Sequence, residues 1–402
     1  MPKTHQVIIA GAGPVGLVAA LALVQREVSV LVLEAEPGLT RDLRAGSFHP
    51  PTVEMLDTLG VGTPMHKAGL KVPVWQFRDR LEGVVAEFDL GLLREETHFP
   101  YRLHLEQHRL TPMLLERLQT YPEAEVQFSV AVSKFTQDSN GVTVTVETAG
   151  DRQEIRGEWL LGADGGRSSV RRETGIEFEG YTWPERFLVA STTRELGDHG
   201  FAHTAYIADP DRWAAVFKVP DEGPPGLWRI AYPTDPEIPE AEVLASDEIQ
   251  RRLEELFSFG GTFPLKYRST YRVHQRVAKQ FRSGRVLLAG DAAHVNNPLG
   301  GFGLNGGIHD AVNLAEKLAE VIHLRADSEW MDRYEVQRRR TVNVEYVQAQ
   351  SIRNKRMIEA RDPAVRKKNL AEMQQIAADP QRAKAHLLNT SMINSVRRAA
   401  AL

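Results

Sequence analysis

Six residues near the start of the chain, Gly11-Ala-Gly13-Pro-Val-Gly16, limit its fold more than any other feature. They follow a short apolar run, residues 6–10 (QVIIA), and precede a helix-like stretch, residues 14–26, whose Pro14 suits a first helical turn. Residues 28–33 (VSVLVL) form a second β-rich run, closed by Glu34. Strand, helix, strand in this order is a βαβ unit, the opening of a parallel sheet. Gly11 permits the tight turn, Gly13 lets backbone approach a pyrophosphate, and Gly16 lets helix and strand pack closely. The helix N-terminus offers unpaired N–H groups to the phosphates. A carboxylate at Glu34 accepts hydrogen bonds from a ribose 2′-OH and repels a 2′-phosphate, so the pattern predicts an unphosphorylated adenine dinucleotide, FAD or NAD.

Two further glycine-and-acid stretches lie far downstream. One is Gly162-Ala-Asp164-Gly165-Gly166. The other runs from Arg285 through Gly290-Asp291 and His294 to Asn297-Pro298-Leu-Gly300-Gly301-Phe-Gly303-Leu304-Asn305-Gly306-Gly307. A strand ending in Gly-Asp places a carboxylate against sugar hydroxyls. The glycine-rich stretch then brings backbone N–H groups and a helix N-terminus against a planar, electron-accepting ring, a setting that favours developing negative charge.

In number, order and spacing these three motifs resemble those of the class A flavoprotein aromatic hydroxylases, the p-hydroxybenzoate hydroxylase type, over about residues 5–345. The resemblance implies an α/β fold: a Rossmann-like FAD-binding domain with an inserted, mostly antiparallel substrate domain and a C-terminal helical segment. It implies FAD as resident cofactor and NADH or NADPH as transient electron donor, in keeping with the absence of a second strand–GxGxxG–helix unit. It also implies O₂ as co-substrate, with a flavin C4a-hydroperoxide passing an OH to a phenolic or hydroxylated heteroaromatic ring. Besides Gly11, Gly13, Pro14, Gly16 and Glu34, the resemblance assigns Arg44, Ala45, Gln107, Asp164, Gly290, Asp291, Pro298, Gly303, Leu304 and Asn305 to the cofactor. Asp291 would meet the ribityl chain, Pro298 would back the reacting edge, and the backbone of Leu304 and Asn305 would bond the pyrimidine end. Asp164 would share its role between cofactor positioning and nicotinamide access. Asp42 stands where relatives often carry a second basic residue, which points toward NADH.

The texture of the chain divides it into FAD-binding parts at residues 1–69, 101–179 and 275–350, substrate-domain parts at 70–100 and 180–274, and a basic helical tail at 351–402. Strands are expected at 126–135, 142–148 and 159–161 and, in the second domain, at 187–190, 205–208, 213–219, 227–232 and 267–273. Helices are expected at 52–59, 105–120, 241–257 and 306–324, the last from its apolar stripe at helical period. Tyr206 resembles the tyrosine that contacts the phenol oxygen in the family, where a hydrogen bond would help deprotonate the phenol and activate the ring. Trp213, Phe217 and Trp228 suggest an apolar pocket, with His49 and His203 within possible reach of substrate. The family's carboxylate-binding arginine has no counterpart, since Phe217, Lys218 and Val219 fill that stretch, which argues against p-hydroxybenzoate itself. The segments around Tyr181 and Trp228 resemble the nitrophenol and nitrocatechol monooxygenases.

Other chemistries find little support. Cysteine is absent, which removes thiolate catalysis and Cys-ligated metal, and fits a reducing, cytoplasmic setting. His104 and His108 do not form H-E-x-x-H, and no metal is expected. Ser168-Ser169 lack a G-x-S-x-G context. The basic tail lacks aromatic interleaving, so a solvated face or a homodimer contact is expected rather than nucleic acid. No apolar run approaches a membrane span. Two alternatives stay open: a flavin oxidoreductase that inserts no oxygen, and a non-enzymatic flavin redox-sensing module.

Overall fold

The first apolar run forms strand β1 (His5–Ala10), whose Val7, Ile8 and Ile9 have no exposed surface. It is a central strand, with parallel neighbours β2 (Val30–Glu34) and β11 (Arg152–Gly162) on its edges, and its side chains share one core cluster with the helices Pro14–Val24 and Phe302–Ile322. The computed structural model describes residues 5–41 and 45–402. The first sheet runs β17 (Arg282–Ser283), β18 (Val286–Leu288), β11, β1, β2 and β8 (Ala124–Phe128). Strands β10 (Gly141–Glu147) and β9 (Ala131–Asp138) extend it antiparallel from β11. The ends of β1, β11 and β18 carry the three glycine-and-acid motifs, and these strands are parallel neighbours. Parallel pairing therefore delivers all three turns to one edge of the sheet.

The second sheet has the order β19 (His294–Val295), β16 (Leu265–Ala278), β12 (Phe178–Thr192), β15 (Leu227–Thr234), β14 (Ala214–Val219), β13 (Thr204–Ala208), β5 (Val74–Asp79) and β6 (Gly83–Asp89). It is antiparallel except where β13 meets β5. A small sheet of β3 (Ser47–Phe48), β7 (Arg102–His104) and β4 (Leu70–Val72) completes the strands.

Several elements differ from the sequence expectation for definable reasons. The expected 126–135 strand is two strands, because Ser129 adopts a left-handed conformation (φ 58°). Ser129 and Val130 donate their amides to the carbonyls of Glu36 and Glu34, turning the chain around the end of β2. The 159–161 strand is longer, because its first half is exposed and charged and so lacks a buried apolar signature. The expected 241–257 helix is two, Glu240–Val243 and Ser246–Phe257. The helix expected at 306–324 is Phe302–Ile322, starting inside the glycine-rich stretch. Those glycines oppose helix propensity, but packing requires one of them: a Cβ on Gly307 would lie 2.6 Å from Val15 Cγ2 and 3.0 Å from the Gly290 Cα.

The basic tail has two sides: Arg361, Lys367, Lys368, Arg382 and Arg398 face solvent as expected, while its apolar side packs into the body of the protein. Ile358, Met373, Ala383, Leu387 and Ile393 share one core cluster with Trp75, Phe77, Phe88 and Phe187 of the second sheet. His386 stacks on Phe88 at 4.8 Å. Its cations meet acids of the earlier chain: Lys384 and Arg397 grip Glu96 at 2.6 and 2.7 Å, and Arg366 pairs with Asp79. Part of the charge asymmetry in the sequence is thus matched within one molecule. Among the described residues no helix is long and apolar enough to cross a membrane.

Two outcomes are expected. Gly307→Ala should destabilise the protein by about 1–3 kcal/mol through overpacking and weaken flavin retention, read by thermal unfolding and bound flavin absorbance. His309, buried with its Nε2 2.8 Å from Thr52 Oγ1, is lowered from 6.5 to about 3, by burial first and then by Arg338. The unfolded chain therefore takes up a proton that the native fold refuses, and stability should decline as pH falls from 6.5 toward 3. His309→Gln should flatten that decline in urea midpoints measured across the range.

Candidate functional site

Beyond β1 the chain turns at Gly11 (φ 103°), where a Cβ would sit 2.5 Å from the Ala163 carbonyl oxygen of the second motif. Gly16 is equally constrained, its Cβ position lying 2.0 Å from the Gly11 oxygen. By contrast nothing lies within 4 Å of a Cβ on Gly13, which faces open space. Glu34 holds this loop from the neighbouring strand: Ala12 N–H donates to Oε2 at 2.7 Å and Glu36 N–H to Oε1 at 3.0 Å. Each oxygen retains a second lone pair, so a ribose hydroxyl can still be received.

Asp164 lies two residues beyond β11 and receives the first amides of the following helix, Ser169–Glu173. Its Oδ2 accepts from the Ser169 amide at 2.7 Å, the Ser169 hydroxyl at 3.0 Å and the Val170 amide at 3.1 Å. Its Oδ1 is buried and has no partner. An acceptor left over on a cavity wall can receive a hydrogen bond from a bound ligand.

The Gly-Asp turn after β18 is fixed from below by a group that sequence reading missed. Asp310, fully buried on the helix Phe302–Ile322, accepts from His294 Nε2 at 2.6 Å, Arg338 Nε at 2.7 Å and the Gly290 amide at 3.2 Å. Burial alone would raise its carboxyl, but Arg338 and His294 hold it below the usual carboxylate range. Arg338 also donates to the Gly306 carbonyl at 3.0 Å. His294, inside the third motif, lends its ring to this network. No local pattern links Asp310 to Arg338 across so much chain.

Asn297, ahead of Pro298, donates both its amide and its side-chain Nδ2 to Gln275 Oε1, each at 3.1 Å. Gln275 is anchored in turn by Gln348 and Ser351. Gly300 and Gly301 then take left-handed conformations, and the helix begins with no side-chain cap, leaving its first-turn N–H groups toward the cavity.

These parts line a single cavity of about 690 Å³. Gly11, Gly13, Pro14, Glu34, Ala45, Gln107, Asp164, Asp291, Pro298, Gly303 and Leu304 all border it. Gly16 and Gly290 lie behind the lining, where they permit close packing. Asn305 also lies behind it: its side chain bonds the Ser47 and Gly301 carbonyls and the His49 amide. Arg44 and Asp42 fall outside the described residues. Among the described residues no cluster of three His, Cys, Asp or Glu could hold a metal ion.

The other half of the cavity is floored by the second sheet. Across four strands the register aligns Tyr206 with Ala215, Ala231 and Val189. One phenol beside three small apolar side chains leaves a flat shelf. Phe217, Thr204, Tyr271 and Val273 border the same space, as do Arg102 and His104 from β7. His104 donates from Nδ1 to the Lys218 carbonyl and accepts from Thr204; burial lowers it to about 3, so it stays neutral.

Four expected substrate residues stand elsewhere. Trp228 is the register partner of Lys218, the neighbour of cavity-facing Phe217, so strand alternation sends it to the opposite face. There its indole donates to Glu195 at 2.9 Å, and His203 packs on its edge. Trp213 lies on the cavity face but farther along, between Phe187 and the Lys355 ammonium. His49 is fully buried beneath the glycine turn, with Nε2 2.8 Å from the Gly300 oxygen, and burial holds it well below its usual value.

The donors and acceptors along the first half of the cavity suit a flavin dinucleotide: an open Gly13 for the pyrophosphate, Glu34 for the ribose, an unpaired Asp164 oxygen and an uncapped helix end. Comparison with known proteins agrees. Residues 4–349 match a family model described as an FAD binding domain. A para-nitrophenol 4-monooxygenase from Pseudomonas sp. (strain WBC-3) is 35% identical, covering 99% of this chain and 98% of its own. The 6-hydroxy-3-succinoylpyridine 3-monooxygenase of Pseudomonas putida (strain DSM 28022 / S16) is 36% identical over 85% of this chain and 86% of its own. The crystal structure of p-nitrophenol 4-monooxygenase from Pseudomonas putida DLL-E4 superposes with a TM-score of 0.92 at 35% identity, covering 98% and 99% of the two chains. The fold, the converging motifs and these likenesses together place the chain in the family of FAD-dependent aromatic monooxygenases.

Proposed function

We propose that the protein inserts one oxygen atom of O₂ into a small phenol or hydroxypyridine, with NADH or NADPH as electron donor. The carrying observation is the shelf formed by Tyr206, Ala215, Ala231 and Val189, joined in one cavity to the flavin-binding turns. Its apolar surface takes an aromatic ring, and its one hydroxyl takes the ring's oxygen. The named activities of the two relatives, on a nitrophenol and a hydroxypyridine, lie within this class.

Bound FAD supplies the transfer of electrons from NAD(P)H and the activation of O₂. Gly13 and the N-terminus of the helix Pro14–Val24 would hold its pyrophosphate, Glu34 its adenosine ribose, Asp291 its ribityl chain, and the first turn of Phe302–Ile322 its pyrimidine edge. The remaining work falls to the chain. Tyr206 has no hydrogen-bond partner of its own among the described residues, so its hydroxyl is free to meet the substrate's. A hydrogen bond there draws the phenol proton away and raises electron density on the ring carbons. Pro298, held by Asn297 and Gln275, fixes the wall where ring and cofactor meet. The tail helices, packed behind Trp75 and Phe88, help to close that end of the chamber to water.

The test is incubation of the FAD-loaded protein with NADH or NADPH and a panel of phenols, nitrophenols and hydroxypyridines under labelled dioxygen. One labelled oxygen in the aromatic product is expected; substrate oxidation without label would point to an oxidoreductase that inserts no oxygen. Tyr206→Phe should lower kcat/KM about 10²-fold or more while leaving flavin content unchanged. Asp310→Asn, which leaves Arg338 buried beside a neutral amide, should instead lose FAD, seen as a drop in the flavin-to-protein absorbance ratio.

A further inference from the structure

Several cations lie deep in the protein, and nearly all are answered. Arg338 pairs with Asp310, Arg171 donates to the Ala292 and Gly166 carbonyls, and Lys355 sits between Glu185 and Glu359. Arg102 differs. It is 3% exposed and borders the cavity, yet among the described residues its side chain makes no hydrogen bond and no ion pair. Its Nε is wholly buried without a partner. Its one described contact of note is with the Trp75 ring, 5.6 Å away. A guanidinium keeps its charge in a protein, and leaving it dry and unpaired is strongly unfavourable.

The titratable groups around it supply no anion. His49, His104 and His386 are each held below their usual value, first by burial, and so stay neutral. Tyr346 is buried and raised, and its hydroxyl donates to the Asn389 carbonyl. The neutral phenols of Tyr206 and Tyr271 border the same chamber. The position of Arg102 is also informative. Arg102 and Tyr206 both border the cavity, and both lie within 6 Å of the Trp75 ring, at 5.6 and 5.9 Å.

We propose that Arg102 binds the ionised ring oxygen of the aromatic substrate, making phenolates the form this site takes. This rests on the reading of the chamber as a phenol site. On binding, the substrate O–H bond breaks, its proton passes to bulk water, and the anion pairs with Arg102 while Tyr206 donates a hydrogen bond to the same oxygen. No electrons move in this step. Opposite charge favours the ionised phenol, and a phenolate ring is the better nucleophile. The cation comes from β7, outside the substrate sheet.

The experiment uses oxidised, FAD-loaded protein without NAD(P)H, so it requires no turnover and stands apart from the labelled-oxygen test. 4-Nitrophenol is the probe, because only its phenolate absorbs in the violet. Difference spectra are recorded across pH for the bound and free probe. The bound probe is expected to ionise about one pH unit or more below the free one. Arg102→Met should abolish that shift and weaken binding at least about tenfold, while Arg102→Lys should retain part of both. 4-Nitroanisole, which has no ionisable oxygen, should bind wild type and Arg102→Met alike. An unshifted ionisation in the wild-type protein overturns the proposal, whatever the variants do. So does a strong Arg102 dependence of 4-nitrobenzoate binding with none for 4-nitrophenol, which would make Arg102 a carboxylate anchor.

Discussion

Everything at the cofactor end depends on how closely three backbone turns approach one another. Ala163 lies against Gly11, and Val15 is wedged between Gly290 and Gly307. These contacts leave no room for side chains where the motifs meet. They place one helix N-terminus, one orphaned carboxylate oxygen and a second uncapped helix on the walls of the same space. The buried Asp310 then fixes the third turn by answering Arg338, His294 and the Gly290 amide together. Glycine here is a packing requirement before it is a binding feature.

The two halves of the cavity solve opposite electrostatic problems. The flavin half offers N–H donors, suited to phosphates and to a ring that gains negative charge. The substrate half is apolar, and its histidines are kept neutral by burial, so the buried Arg102, without a partner among the described residues, weighs heavily on its field. The helices of the tail help to keep that half dry.

What the sequence made legible was what is local. Strand, glycine turn and helix follow one another within the βαβ unit, and Gly11, Gly13, Pro14 and Glu34 could be placed from spacing alone. Tyr206 and Phe217 were reachable through the resemblance. Trp213 and Trp228 were not, because an aromatic on a strand announces burial but not which face is buried or what covers it. Trp228 missed the chamber by a single step of alternation. Arg102 and Asp310 were invisible for another reason: their meaning depends on partners, or on the lack of them, contributed by distant segments. The strand break at Ser129 was hidden by apolar residues on both sides of it.

The Arg338–Asp310 pair also carries a consequence for the order of events in the cell. The turn at Gly290 is secured only once Arg338 is present, and the chamber behind Trp75 is covered only by the final helices. A chain still leaving the ribosome therefore has its nucleotide loop long before it has a finished flavin site. Firm capture of the yellow cofactor waits on the segment that carries Arg338, some three hundred residues after the first glycine turn.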